Sequence, residues 1–199
     1  DGRSTVDTDA LKVAQGFAII GAAAGDKSGE SVSAAGDVNG DGFADIIIGA
    51  SGNDLGASNA GEAYVIFGKS SGFGHTVGVG QGVRRVIDLD ALLPTEGFVL
   101  QMDKSDSSFG RHVSAAGDIN GDGFGDIIIA SAQQNNGNDF TGLAHIVFGS
   151  AASLGTADDA GRLVLDIATM SPFGGFGITH SDTGAAPAAS SVSAAGDVN

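Results

Sequence analysis

Residues 32–48, VSAAGDVNGDGFADIII, return 81 residues later as residues 113–129 with two substitutions, Ile119 for Val38 and Gly125 for Ala44. The same motif begins a third time at Val192. Such self-similarity restricts the fold to architectures in which one supersecondary unit repeats and covers its apolar face with a neighbour. The register persists beyond the motif, since residues 61–68 (GEAYVIFG) align with residues 142–149 (GLAHIVFG). A leader repeats too: Val6-Asp7 followed by Gly16-Phe17 matches Ile87-Asp88 followed by Gly97-Phe98, and then Leu165-Asp166 followed by Gly175-Phe176.

Four short runs of each unit have strand character, at 32–35, 46–50, 63–67 and 98–101 in the first. Ile46-Ile47-Ile48 and Tyr64-Val65-Ile66-Phe67 are short β-branched or aromatic runs bounded by glycine, which argues against a helical solenoid. Four strands per repeat predicts an all-β chain whose units are propeller blades of four antiparallel strands. The expected divisions are a leading strand at 16–20, blades at 31–102 and 112–180, and a partial blade from 191. The period exceeds that of common propeller repeats. The surplus lies in glycine-rich polar stretches, 70–82 and 133–139, which read as loops.

Composition narrows the function. Twenty-four acidic against nine basic residues give a formal charge of −15, which repels nucleic-acid backbones and anionic membranes. There is no cysteine, so neither a disulfide nor a thiolate metal site exists. No apolar run is long enough for a membrane-spanning helix.

The chemistry concentrates in residues 37–45 and 118–126. Asp37, Asn39, Asp41 and Asp45 offer side-chain oxygens at positions 1, 3, 5 and 9 of a nine-residue loop, with Gly42 at position 6 and the Phe43 carbonyl at position 7. Asp118, Asn120, Asp122, Phe124 and Asp126 repeat the set. A hard cation that needs six to eight oxygens is served by this pattern, and Ca2+ fits it better than the stricter octahedron of Mg2+. Position 12 is Ile48 or Ile129 rather than a bidentate glutamate, so the loop is not an EF-hand. The third copy holds only Asp197 and Asn199 and makes no complete site.

Catalysis finds no support in the sequence. His75 and His180 sit in polar stretches, while His112 and His145 stand where the first unit has Ser31 and Tyr64. Neither a nucleophile elbow nor a nucleophile–base pair is visible. The carboxylates Asp88 and Asp90 recur as Asp7 and Asp9, as repeat punctuation does, and predict strand capping rather than glycoside chemistry. Arg84 and Arg85 read as a solvated pair in a loop.

The segment Ser108-Phe109-Gly110-Arg111, the loop from Asp118 and the strand from Asp126 together resemble an FG-GAP repeat, the unit of the integrin α propeller and related bacterial surface proteins. The first unit departs from it with Ser28-Gly29 in place of Phe-Gly. The resemblance implies a fragment of a seven-bladed propeller with the loop as a calcium-binding hairpin between the first two strands of a blade. It implies a secreted or cell-surface protein, of bacterial type by its long leader. Adhesion, or binding of a protein or carbohydrate ligand, is then the expected activity, with the loops at 52–59 and 133–140 as contact surface. The competing expectation is a calcium-stiffened scaffold carrying an enzyme or toxin domain elsewhere.

Overall fold

A computed structural model describes residues 11–54, 57–78, 83–135, 139–152, 154–172, 174–179 and 191–196. The described residues form strands, turns and two single-turn 3-10 segments. The first blade consists of β2 (Ser31–Gly36), β3 (Asp45–Ala50), β4 (Glu62–Ile66) and β7 (Gly97–Gln101), antiparallel and in that spatial order. The second repeats it with β8 (His112–Gly117), β9 (Asp126–Asn135), β10 (Asp139–Val147) and β13 (Gly175–Thr179). Both are all-β propeller blades. The same irregularity interrupts the first hairpin of each, between Ala34 and Gly36 and between Ala115 and Gly117.

Two polar stretches expected as loops are in part strand among the described residues. Within 70–82, β5 (His75–Val77) pairs with β6 (Arg84–Asp88), so Arg84 and Arg85 belong to a strand and His75 to its partner. The Arg85 guanidinium donates to the carbonyls of Phe73 and Gly74, which fixes the turn before β5. Within 133–139, the β9–β10 hairpin continues out to Asn135 and Asp139, its arms hidden in the sequence by their lack of an apolar face. Residues 191–196 of the third copy are not in a strand.

The β5–β6 hairpin does not join its own blade. β6 lies parallel to β1 (Ala18–Ile20), pairing Ala18 with Val86 and Ile20 with Asp88. In the second unit β12 (Leu163–Asp166), with β11 (Thr156–Ala157), lies parallel to β7 and pairs Val99 with Val164. By the leader alignment β1, β7 and β13 are equivalent strands. Each unit therefore leaves its blade after the third strand, adds a hairpin to the outer edge of the preceding blade, and returns to lay its own fourth strand. This excursion accounts for the long period.

The core lies between units rather than within one. Ile47, Val65, Phe98 and Leu100 of the first blade pack with Val113, Ile127, Ile129 and Val147 of the second. The opposite face of the first blade, with Ile48, Tyr64, Ile66 and Val99, packs against Ile87, Leu89 and Leu92. Alternation along a half-buried strand places successive residues on these two faces.

The junction is close. Phe109 is fully buried, and Gly110, at φ +83, sets its backbone against Gly49 of β3 and against Glu62. A Cβ on Gly49 would run into the Gly110 carbonyl oxygen. At the equivalent position of the second unit, Ala130 carries that Cβ. Gly49→Ala is therefore expected to destabilise the chain by about 2 kcal/mol through overpacking against backbone. The reverse change, Ala130→Gly, is expected to cost about 1 kcal/mol or less. Urea denaturation of both variants checks the asymmetry.

Candidate metal centre

The loop after β2 is built from its first aspartate outward. Asp37 Oδ1 accepts the N–H groups of Gly40 at 2.7 Å and Asp41 at 3.0 Å, and its Oδ2 accepts that of Gly42 at 2.8 Å. Asn39 Oδ1 accepts from the Asp41 N–H, and Asp41 Oδ1 from the Phe43 N–H. Gly40 and Gly42 turn at φ +75 and +89, a conformation that side-chain-bearing residues adopt at a cost. This local bonding replaces the sheet ladder that β2 and β3 abandon at the bend.

Asp45 stands apart. It is 1% exposed, and its two oxygens accept the N–H groups of Val38 at 2.8 Å and Gly68 at 2.7 Å. One carboxylate thus ties the loop to the segment after β4. Burial pushes its pKa up despite these bonds, and the charges of Asp41 and Asp37 add to the shift.

The second loop matches bond for bond. Asp118 accepts from Gly121, Asp122 and Gly123, Asn120 Oδ1 from Asp122, and Asp122 from Phe124. Asp126 is fully buried and accepts from Ile119 at 2.7 Å and Gly149 at 3.0 Å; burial again raises its pKa. The loops are also joined. The carbonyls of Asp37 and Val38 accept from Gly125 at 2.7 Å and Ser150 at 2.8 Å, and the Phe124 ring lies against Gly40, where a Cβ would collide with it.

Tested against a hard cation, the donor set fits in kind: each loop offers only carboxylate, amide and carbonyl oxygens, and Asp41 and Asp122 lie at the solvent-exposed rim. Among the described residues, no three carboxylate or imidazole side chains are gathered closely enough to hold a metal by themselves. In both loops the asparagine amide donates to the position-5 carboxylate, at 3.0 Å and 2.7 Å, occupying an oxygen a cation would use. A complete shell would draw on Asn39 or Asn120, the backbone and water, with that amide rotated. Asp197 and Asn199 lie outside the described residues.

The remaining residues singled out by sequence have structural partners. Asp88 caps the 3-10 turn Leu89–Ala91 by accepting the Asp90 N–H, and Asp166 does the same for Ile167–Thr169. His75 is exposed, His112 is half-buried on β8, and His180 lies outside the described residues. His145 is buried on β10, 3.2 Å from Ser131 Oγ and edge-on to the Phe109 ring. The loop at 52–59 is tied to the next segment, Asp106 N–H donating to the Ser58 carbonyl and Asn59 Nδ2 to Asp106.

Sequence reasoning missed a buried polar group. Glu62, 1% exposed, accepts from the Tyr64 hydroxyl, and burial raises its pKa. The Arg162 guanidinium, 5% exposed, bonds Asp158 at 2.8 Å and lends its positive charge to Glu62. Arg162 comes from the β11–β12 hairpin, so the excursion brings a positive charge to a buried carboxylate of the blade it visits. The signal was the mismatch with Leu143 and His145 at the equivalent places of the second unit.

Residues 28–66 and 109–147 match a family model, that of the FG-GAP repeat. The chain therefore carries two FG-GAP repeats, and each matched stretch holds the first three strands of a blade with its loop. The match identifies the repeat and says nothing of the kind of organism. No curated protein resembles the chain closely enough to count as a relative.

Burial lowers the pKa of His145 to about 4. Its neutral form is the one that folds, so stability is full above its unfolded value near 6.5 and is lost as pH falls towards 4. The expected loss is about 2 kcal/mol between pH 7 and pH 5. Chemical denaturation across that range should show this slope, flattened in His145→Gln.

Proposed function

We propose that the chain is a calcium-binding, non-catalytic propeller module of a secreted or cell-surface protein that binds a protein or carbohydrate ligand through its blade loops. The observation that carries this reading is the duplication, bond for bond, of an acidic nine-residue loop in two units whose other buried polar residues differ. The charges of Asp41 and Asp37 repel that of the buried Asp45 and add to the rise that burial causes in its pKa. Asp37, Asn39, Asp41 and the Phe43 carbonyl would hold the ion, with Asp45 beneath them; Asp118, Asn120, Asp122, Phe124 and Asp126 would do so in the second unit. The ion would supply positive charge where the chain supplies negative charge alone.

The fold supports a stiffening role as well. Because Gly125 and Ser150 are bonded to the first loop, a loop held rigid also holds the next blade. The 52–59 loop and the β9–β10 hairpin, both expected as contact surface, are then presented from a fixed frame. The second reading makes this stiffening the whole purpose, for an enzyme or toxin domain elsewhere in a longer protein. Among the described residues, no helix is long and apolar enough to cross a membrane.

Calcium titration by calorimetry, with thermal unfolding, tests the reading. Two sites per chain are expected, with dissociation constants of roughly 10⁻⁴ to 10⁻³ M as in other extracellular modules. At a hundredfold excess over the dissociation constant, each site is expected to add about 2.7 kcal/mol of stability. Both effects should vanish in the Asp41→Ala, Asp122→Ala variant. A folded chain that neither binds calcium nor gains stability from it would refute the assignment.

A further inference from the structure

Residues 39–42 read Asn-Gly-Asp-Gly, and residues 120–123 repeat them. Both dipeptides in this run can react with themselves. In an Asn-Gly pair no side chain shields the glycine nitrogen, which can attack the asparagine Cγ. The new N–C bond forms, the proton that this nitrogen gives up passes to the side-chain amine, and the Cγ–Nδ2 bond breaks to release ammonia. Water then opens the cyclic imide at either carbonyl and leaves aspartate or isoaspartate. An Asp-Gly pair follows the same course, with water leaving in place of ammonia. Gly40, Asp41 and Gly42 are exposed, as are Gly121, Asp122 and Gly123, so water reaches both loops.

The structure shows what stands in the way. The two nitrogens that would attack in the first loop, those of Gly40 and Gly42, both donate to one side chain. Asp37 accepts the first on Oδ1 at 2.7 Å and the second on Oδ2 at 2.8 Å. In the second loop Asp118 accepts from Gly121 on Oδ1 at 2.8 Å and from Gly123 on Oδ2 at 2.9 Å. Hydrogen bonds to a carboxylate are among the stronger ones, and each must break before its nitrogen can turn onto Cγ. The groups under attack are held as well. Asn39 Oδ1 accepts from the Asp41 N–H, its Nδ2 donates to Asp41 Oδ2, and Asp41 Oδ1 accepts from the Phe43 N–H. Asn120 and Asp122 are held by the same bonds.

We propose that Asn39-Gly40, Asp41-Gly42, Asn120-Gly121 and Asp122-Gly123 are sites of spontaneous conversion to aspartate and isoaspartate, and that the first aspartate of each loop, Asp37 or Asp118, restrains them. One carboxylate suffices for two pairs because its two oxygens take the two glycine nitrogens. Conversion at Asn39 or Asn120 adds a negative charge at position 3, which alters the charge count on which the affinity of an oxygen site for a cation depends. The isoaspartate form also inserts a methylene into the backbone, out of step with every later bond of the loop. The inference rests on the loop's own hydrogen bonds and stands whether or not the loop takes calcium.

Peptide mapping by mass spectrometry tests it, with fragmentation to locate each event and to separate Asn120 from Asn136, whose Asn-Gly pair lies outside the described residues. The full chain is held in mildly alkaline buffer without calcium, beside the same chain in guanidinium chloride. Conversion at residues 39 and 120 is expected to be slower in the folded chain by at least about tenfold, the factor that releasing one charge-assisted hydrogen bond is worth. Asp37→Ala should raise conversion at Asn39 and Asp41 towards the denatured rate and leave Asn120 and Asp122 at the parent rate. Asp118→Ala should do the reverse, so the untouched loop is the control within each molecule. Where both loops rise together the alanine variant has lost its fold, and Asp37→Asn, which keeps one acceptor oxygen, is read instead and should raise the first loop alone. A folded parent that converts as fast as the denatured chain, a folded variant whose own loop keeps the parent rate, or an Asp37→Asn chain in which both loops rise together would each overturn the proposal.

Discussion

A four-stranded sheet cannot cover its own faces, and everything else in this molecule follows from how those faces are covered. The alternation along β3 sends Ile47 to one neighbour and Ile48 to the other, and both are buried. Burying a side chain of that size stabilises by about 1.5 to 3 kcal/mol, so a blade stripped of a neighbour loses several such contributions together. The glycines at the junction belong to the same constraint. Gly49 and Gly61 admit the backbone of Phe109 and Gly110, and only because they lack a side chain can the two sheets approach closely enough to share one apolar layer.

The acidic loop is fitted to this arrangement and is more than an appendage to the hairpin. Its buried position-9 carboxylate ties the first hairpin to the segment after the third strand, and its first carbonyls hold the following unit. A residue assigned by spacing to a cation thus has a second task that spacing does not reveal. The task is visible only in three dimensions, because Gly68 lies 23 residues from Asp45. The same holds for Phe124, whose carbonyl is a candidate ligand while its ring rests on the neighbouring loop at Gly40.

The blades were legible because their determinants are local. Glycine-bounded apolar runs such as Ile46-Ile47-Ile48 mark strands, and carboxylates at positions 1, 3, 5 and 9 mark a turn that oxygen side chains organise. The excursion was not legible. Its strands are short, one opens with Arg84-Arg85, and its pairing is set by a distant partner rather than by a hairpin turn. Its punctuation is half visible: the sequence marks Asp88 and Asp90 as strand caps, whereas Asp88 caps a 3-10 turn, as Asp166 does. The Glu62, Tyr64 and Arg162 group escaped because a buried carboxylate in strand β4 is recognisable only once the arginine that faces it is placed.

The parallel pairing of β12 on β7 has a consequence for how the chain is made. The first blade closes its antiparallel set at Gln101, but its outer edge waits for Leu163–Asp166. During synthesis, which proceeds from the N-terminus, the blade spends the interval with an unpaired strand edge, the kind of surface on which nascent chains aggregate. Long-range closure of this sort is slow. Assembly of such an array is therefore staggered, each blade completed by a segment translated after most of its successor.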